Sequence, residues 1–471
     1  MSNRSDQYPR VLIIGHDFAP NTGDQATLSS LFKGWPRDRI AVAAQSRAIG
    51  TSGFAGHYYR FGVLEDRWVW PLSLIPREPW KISGPTAPAV APGPEETPIP
   101  MVEDASGSPG SAEPAGSWLR HGGSAVLSAT GAQELLRGLH LSDRFRQWLA
   151  EYQPDVIYTQ LSSLRLVRLA KELVQATGVP LVIHFMDDWP STVYRRTLLG
   201  PILRSRLLPE LEELIHQAAV LMAISDEMSR EFEKRYGRGF HTYHNAVDLG
   251  EWKQARRTSW EAREPLEVLY AGRIGTVNIS SLLDVAQAVE SLTQSGLGVR
   301  LTILSQDAGS PSASPLKGLP HVDVLPAIPH AGIPARLAAA DILVLPLDFG
   351  EKAERFARFS MPSKTSEYMA SGTPTVVYAP ARNAVSRYAT AEGWGRVVGE
   401  RSTRELTMAL RSLAESAQER ERLGRRAADL AFAHHDAHVV GEAFRRDLES
   451  AAATRAAAPT AATAPERRQE P

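Results

Sequence analysis

The 471-residue chain has no cysteine, which excludes disulfides, thiolate metal sites and a cysteine nucleophile and suits a reducing compartment. Long hydrophobic runs are missing as well. Nowhere do about 18 apolar residues follow one another, so no segment is expected to span a bilayer. Nor is there an excess of charge: 52 Lys and Arg face 53 Asp and Glu, the net is −1, and the basic residues are scattered. Without a basic stripe, nucleic acid is an unsuitable partner. The polar residues 1–10 precede an apolar stretch soon broken by His16 and Asp17, so no export signal is legible. Cytoplasmic residence is the expectation.

What is present is ordinary globular material, 43% apolar and 22% charged, in a chain long enough for two domains of about 200 residues each. Residues 11–15, Val-Leu-Ile-Ile-Gly, read as a buried strand, and Asn21, Thr22, Gly23 and Asp24 supply turn and cap chemistry before a helix over 26–35. A helix at 142–152, a strand at 156–159, a helix at 164–177, a strand at 181–185 and a helix at 207–219 leading into 220–224 continue the alternation. After a polar join near 248–265 the rhythm restarts at 266–271 and runs through 299–304, 322–325, 342–345 and 375–378. Strands alternating with helices imply parallel pairing and right-handed crossovers.

The expected fold class is therefore α/β, with two doubly wound, Rossmann-like domains at 8–250 and 258–425 and a closing helix at 426–450. Residues 83–117 are crowded with Pro, Gly, Ala and Ser and read as a disordered insertion, and 451–471 as a loose tail. Two such sheets facing each other put ligands and chemistry on the loops at the carboxyl ends of their strands.

The most informative stretch is 360–374, Ser-Met-Pro-Ser-Lys-Thr-Ser-Glu-Tyr-Met-Ala-Ser-Gly-Thr-Pro. Pro362 and Ser363 start a short helix that Gly372 and Pro374 end. Lys364 sits in its first turn, where a cation opposes the helix dipole. A bound diphosphate would resolve that conflict, since first-turn amides and an ammonium together form an anion site. Glu367, one turn on, shares its face and could accept from ribose hydroxyls. A surface Lys–Glu pair is the plainer alternative. Residues 268–275, Val-Leu-Tyr-Ala-Gly-Arg-Ile-Gly, give a strand and then a glycine-flanked Arg273, where Gly272 would permit close approach of backbone to phosphate. His184, Asp187 and Asp188 follow the strand 181–185; paired carboxylates at a cleft are costly unless used, though Asp188 can equally cap the next helix.

These stretches resemble the retaining glycosyltransferases of family four, the group 1 enzymes of the GT-B fold. The resemblance covers about 10–80 and 120–445. It implies that Glu367 is the second Glu of the family's paired-Glu motif, bound to ribose, and that Arg273 is its phosphate-binding Arg. Phe359 stands where the first Glu would fall, with Glu354 nearby as a substitute. The family's partner lysine after Arg273 is missing, and Lys364 is expected to supply its charge. Asp187 aligns with a functional His, preceded by His184. Ser225 and Asn245 through Asp248 resemble two further landmarks, and residues 18–24, ending in Gly23 and Asp24, stand at the acceptor or phosphate loop.

The implied roles are Arg273, Lys364 and Asp187 in catalysis, Glu367, Gly272, Ser363, Asn245 and His184 on the donor, and Gly23, Asp24 and Asp188 on the acceptor side. No metal or cofactor is expected. The resemblance further implies a UDP- or GDP-sugar as donor and a glycan or lipid-linked acceptor. Two alternatives stay open. Asn21-x-Gly23-Asp24-Gln25-Ala26-Thr27 resembles the opening of polysaccharide pyruvyltransferases, and the departures above admit a non-catalytic partner protein. Between 194 and 208, Arg195, Arg196, Arg204 and Arg206 alternate with Leu198, Leu199, Ile202, Leu203, Leu207 and Leu208 around Gly200 and Pro201. That mixture suits peripheral contact with an anionic membrane; packing of the leucines on the first domain is the alternative.

Overall fold

Segments apolar on both faces become central strands of covered parallel sheets, because neither face can be left to water. Val11–Ile14, Val156–Thr159, Leu181–Phe185 and Ile342–Pro346 are buried at every position. The computed structural model describes residues 8–18, 23–46, 49–50, 52–68, 83–86 and 130–457. Around the strands run helices with local start and stop signals. Ser142, Ser163 and Ser225 each accept the amide three residues on, and Gly178, Gly237 and Gly372 end helices at positive φ.

The first sheet has eight strands in the order His241–Thr242, Val220–Ala223, Leu181–Phe185, Val156–Thr159, Val11–Ile14, Ile40–Ala44, His57–Arg60, Gly84–Thr86. All pairs are parallel except the last. The second has six, all parallel: Val322–Pro326, Val299–Ser305, Leu266–Ala271, Ile342–Pro346, Thr375–Tyr378, Gly395–Val398. Numbered along the chain, this second order is 3-2-1-4-5-6, the doubly wound arrangement in which strand order reverses between the first and fourth strands. The first sheet reverses likewise between Val11–Ile14 and Val156–Thr159.

The chain passes to the second half after Val247 and returns at Asp436. These two crossings are joined: Val247 donates to the carbonyl of His435 at 2.9 Å and Ala437 donates to that of Val247 at 2.9 Å. In place of one closing helix at 426–450 the structure has two, Ala417–His434 and Ala437–Ala457, broken at the crossing. The second packs on the first half, where Phe444 meets Phe32, Tyr158 and Tyr243 edge to face. Its helix runs on to Ala457, past the start of the expected tail at 451.

The insertion differs at its leading edge. Ser83 is buried, its hydroxyl accepting from Leu64 N at 2.9 Å, and Gly84–Thr86 pairs with His57–Arg60. Proline is tolerated on an edge strand, so a Ser-Gly-Pro-Thr composition does not forbid one. Residues 87–117 lie outside the described residues.

Gly200 and Pro201 open the helix Gly200–Gln217 instead of interrupting it, with proline in the first turn. A side chain at 200 would lie 2.0 Å from the carbonyl of Tyr194. Leu203 and Leu207 are core residues, whereas Leu198 is 79% exposed and Ile202 and Leu208 also face outward. Arg204 turns inward and donates to the carbonyls of Pro190 and Val193 at 2.9 Å each. The face left to solvent thus carries Arg195, Arg196 and Arg206 beside three large apolar side chains.

Candidate active site

At the switch point of the second sheet, the strand Leu266–Ala271 gives way to a loop whose shape is fixed by side chains. Asn278 accepts from Gly275 N at 2.9 Å and donates to the Arg273 carbonyl at 2.8 Å and to the Tyr270 hydroxyl at 2.7 Å. The Tyr270 hydroxyl donates in turn to the Arg273 carbonyl at 2.7 Å. The backbone around Arg273 is therefore held rigid while its guanidinium is free to reach. That side chain is 73% exposed, with Nε 3.5 Å from Asp307, which also accepts from Ile274 N.

Lys364 comes to the same place from the helix Lys364–Ser371. A Cβ at residue 272 would lie 2.4 Å from its Cε and 2.6 Å from its Nζ, so the lysine occupies the space a side chain at Gly272 would take. Its Nζ sits 5.4 Å from the Tyr270 ring centroid. The fully buried Tyr368 ties helix to strand, accepting from Ala271 N at 2.8 Å and donating to the Ala271 carbonyl at 3.2 Å. Lys364 forms no ion pair among the described residues, and Ser363 does not cap the helix with its side chain. The neighbouring helix Ile279–Gln294 differs: Asp348 already accepts from its Ser280 and Ser281 amides. The helix start bearing Lys364 has no side-chain cap and is open to an anion.

The first half supplies the facing wall. Thr27, Met186, Asp187, Ile224 and Asn245 meet Tyr270, residues 273–278, Leu345, Ser363 and Lys364 around a cavity of about 440 Å³. Met186, Asp187, Ile224 and residues 273–278 follow the carboxyl ends of strands, as the topology dictates. Asp187 accepts from Trp189 N at 3.0 Å while lining the cavity. Asn245 bridges the halves, accepting from the Thr27 hydroxyl and donating to the Met361 carbonyl at 2.8 Å. Ser225 makes a second bridge, donating to the Phe359 carbonyl at 2.6 Å. Glu367 lies one turn behind Lys364. Burial pushes its carboxyl above the ordinary range, against the pull of His330 and Lys364.

The structure thus brings Gly272, Arg273, Ser363 and Lys364 together, with Asp187 and Asn245 opposite. It does not bring His184 there. His184 is buried within the first sheet, bonded through Nδ1 to the Tyr158 hydroxyl at 2.8 Å, and desolvation lowers its pKa to about 3. In a strand buried on both faces, alternate side chains point into one covering layer or the other, and this one points into a helical layer. Asp188 is likewise taken up, in a two-pronged pair with Arg235 at 2.8 and 3.1 Å that raises the Arg235 pKa against its desolvation. It stands at the helix N-cap position without capping. Phe359 is core, and Glu354 is paired with Arg382. Gly23 and Asp24 begin the helix Gly23–Leu31; the Asp24 side chain and residues 19–22 lie outside the described residues.

Several contributors carried little signal. Tyr270 and Tyr368 look like core aromatics in an apolar pattern, and nothing in spacing distinguishes them. Asn278 was legible as a helix start, a role Asn favours, but not as the clamp of the preceding loop. Asp17, three residues past the first strand and outside the cavity lining, accepts from Phe18 N at 2.7 Å, and burial raises its pKa to about 6. An acid close behind an all-apolar strand was its one signal.

Two doubly wound halves whose strand ends share one cleft define the GT-B class. Two family models match in sequence: "Glycosyl transferase 4-like domain" over residues 102–243 and "Glycosyl transferases group 1" over 265–416, together more than half of the chain. The chain belongs to the group 1 glycosyltransferases. Solved structures similar in fold include Anabaena HepE in complex with UDP and glucose, with TM-score 0.56, 14% identity, and 94% of this chain and 100% of that one covered. Sucrose-phosphate synthase from Thermosynechococcus elongatus gives TM-score 0.55 at 12% identity, covering 94% and 99%. The α,α-trehalose 6-phosphate synthase of Burkholderia multivorans gives 0.54 at 14%, covering 96% and 98%. No curated protein matches the chain.

Proposed function

We propose that this chain transfers a hexose-type sugar with retention from a UDP- or GDP-sugar to a glycan or lipid-linked acceptor, in the assembly of cell-surface polysaccharide or glycoconjugate. The observation that carries the reading is Lys364, without an ion pair among the described residues, laid over Gly272 at a helix start with no side-chain cap, with the exposed Arg273 on the same cavity wall. HepE, solved with UDP and with UDP-glucose, supports a nucleotide-sugar donor.

In this reading Arg273, Lys364 and the first-turn amides stabilise the charge that develops on the departing nucleoside diphosphate, without a metal ion. The acceptor hydroxyl enters on the face the leaving group vacates, and a donor phosphate oxygen helps to take its proton. Asp187 faces the transferred sugar from the opposite wall. Glu367 accepts from the ribose hydroxyls, contacts that favour its ionised form against the desolvation that opposes it. The solvent face with Arg195, Arg196, Arg206, Leu198, Ile202 and Leu208 rests on the inner surface of an anionic membrane.

Calorimetry against UDP, GDP and ADP, with hydrolysis assays on their sugars, tests the reading. One nucleoside diphosphate is expected to bind and its sugar to be hydrolysed slowly. No binding by any of the three would end the donor assignment, and binding without turnover on any acceptor would favour a non-catalytic partner protein. Co-sedimentation with vesicles tests the membrane contact; equal recovery in the supernatant at every lipid charge would remove it.

A further inference from the structure

Beside the donor cavity lies a second one of about 410 Å³, lined by Thr192, Arg195, Arg196, Thr276, Val277, Glu351 and Arg355. Thr276 and Val277 also line the donor cavity, so the two share a wall. Its lining carries three arginines and one carboxylate, and the arginines come from both halves of the molecule. Arg355 is paired with Glu351, and Arg195 spends its Nε on the Ser191 carbonyl. Arg196 is exposed and has no partner among the described residues.

The turn that presents these arginines is held in place. Tyr194 adopts φ 60°, a conformation a tyrosine keeps only when its surroundings demand it. Its hydroxyl supplies that demand, donating to Glu134 at 2.8 Å and accepting from Leu164 N at 3.0 Å. A third cavity, of about 600 Å³ at the amino end of the first sheet, is also edged by arginines, but they are spent. There Arg10 and Arg455 donate to the carbonyls of Tyr152 and Pro154, and Arg146 lies 3.6 Å from Glu172.

Arg196 without a partner, and Arg195 with both terminal nitrogens unused, leave guanidinium donors for a tetrahedral oxyanion, and Arg355 can join them by exchanging Glu351 for it. We infer that the acceptor carries a phosphate group, which Arg195, Arg196 and Arg355 hold while its hydroxyl enters the shared wall of the donor cavity. The inference rests on the proposed sugar transfer and narrows its acceptor to a phosphate-bearing molecule, either a soluble phosphorylated sugar or a lipid phosphate. In the second case the chain would run over the exposed Leu198 and Ile202.

The test uses the full chain, with and without saturating UDP, and two probes, inorganic phosphate and decyl phosphate below its micelle concentration. Both are expected to bind alongside UDP, and Arg196→Gln and Arg355→Gln are each expected to weaken them about tenfold or more while UDP affinity stays within about twofold. Decyl phosphate binding at least about tenfold more tightly than inorganic phosphate, with the gain lost in Leu198→Ser, assigns the lipid source; equal affinities assign the soluble one. Competition between phosphate and UDP, or phosphate affinity indifferent to both arginine variants, overturns the inference. Failure of the wild type to bind UDP would sink the donor reading instead, and the UDP-free arm still decides whether the arginines take phosphate.

Discussion

Replacing Gly272 by alanine probes the diphosphate site without touching any charge. The added Cβ would stand 2.4 Å from Lys364 Cε and 2.8 Å from the Tyr270 hydroxyl. Carbon atoms settle at about 3.5 Å or more, so the lysine must retreat by about 1 Å. The tyrosine cannot follow freely, being bonded to Asn278 and to the Arg273 carbonyl. A flexible side-chain tip absorbs most of the clash, so the fold should lose only about 1–2 kcal/mol. Binding should suffer more specifically. Displacing the ammonium from its seat over Tyr270 is expected to cost about 1–3 kcal/mol of UDP affinity, the range for a charge-assisted bond.

Calorimetry on Gly272→Ala, Lys364→Ala and the double variant closes a cycle. If alanine acts by moving the lysine, the double variant binds UDP no worse than Lys364→Ala alone. Additive losses would refute the reasoning, showing that residue 272 and the lysine contribute separately.

Arg273→Ala should weaken UDP by about 1–3 kcal/mol by calorimetry with a nearly unchanged melting temperature, since its exposed guanidinium makes only a long, solvent-screened pair with Asp307. Asp188→Ala should do the opposite, lowering stability to denaturant by about 1–3 kcal/mol by removing the two-pronged partner of Arg235, which keeps only Glu231, while the remaining folded protein keeps its UDP affinity. Asp17 predicts a pH dependence: its folded pKa of about 6 lies above the unfolded value, so it favours folding most at low pH and that contribution is lost as pH rises from about 4 through 6. Asp17→Asn should therefore gain stability over wild type between pH 4 and 7.5 in thermal melts, by about 2–3 kcal/mol at most, and a pH-independent difference would contradict the burial effect.

Much of the architecture was legible because periodicity is a local property. The helix Leu164–Thr177 and the strands Val156–Thr159 and Leu181–Phe185 follow directly from their apolar spacing, and the cleft loops follow from parallel topology. Lys364 was legible too, since a cation in a first helical turn breaks a rule and rule-breaking concentrates at sites. Which way a side chain points from a strand end was not. His184, Asp187 and Asp188 are near neighbours in sequence, yet only Asp187 faces the cavity, because register and the partner Arg235, far along the chain, decide the outcome. The clamp by Asn278 and the seat formed by Tyr270 depend on contacts that spacing cannot reveal.

The paired crossing at Val247 and Asp436 makes the second half an insertion within the first, entered and left through adjacent doors. During synthesis the first half is emitted without Phe444 and Leu448, so its aromatic groove waits for residues made nearly two hundred positions later. The second half completes its sheet within one continuous stretch of chain between the two crossings. Leu269, Leu343 and Leu345 of that sheet share one apolar core with Phe185 and Ile224 of the first, so the two halves are packed as one body. The order in which the two sheets can close thus runs against the order of the sequence.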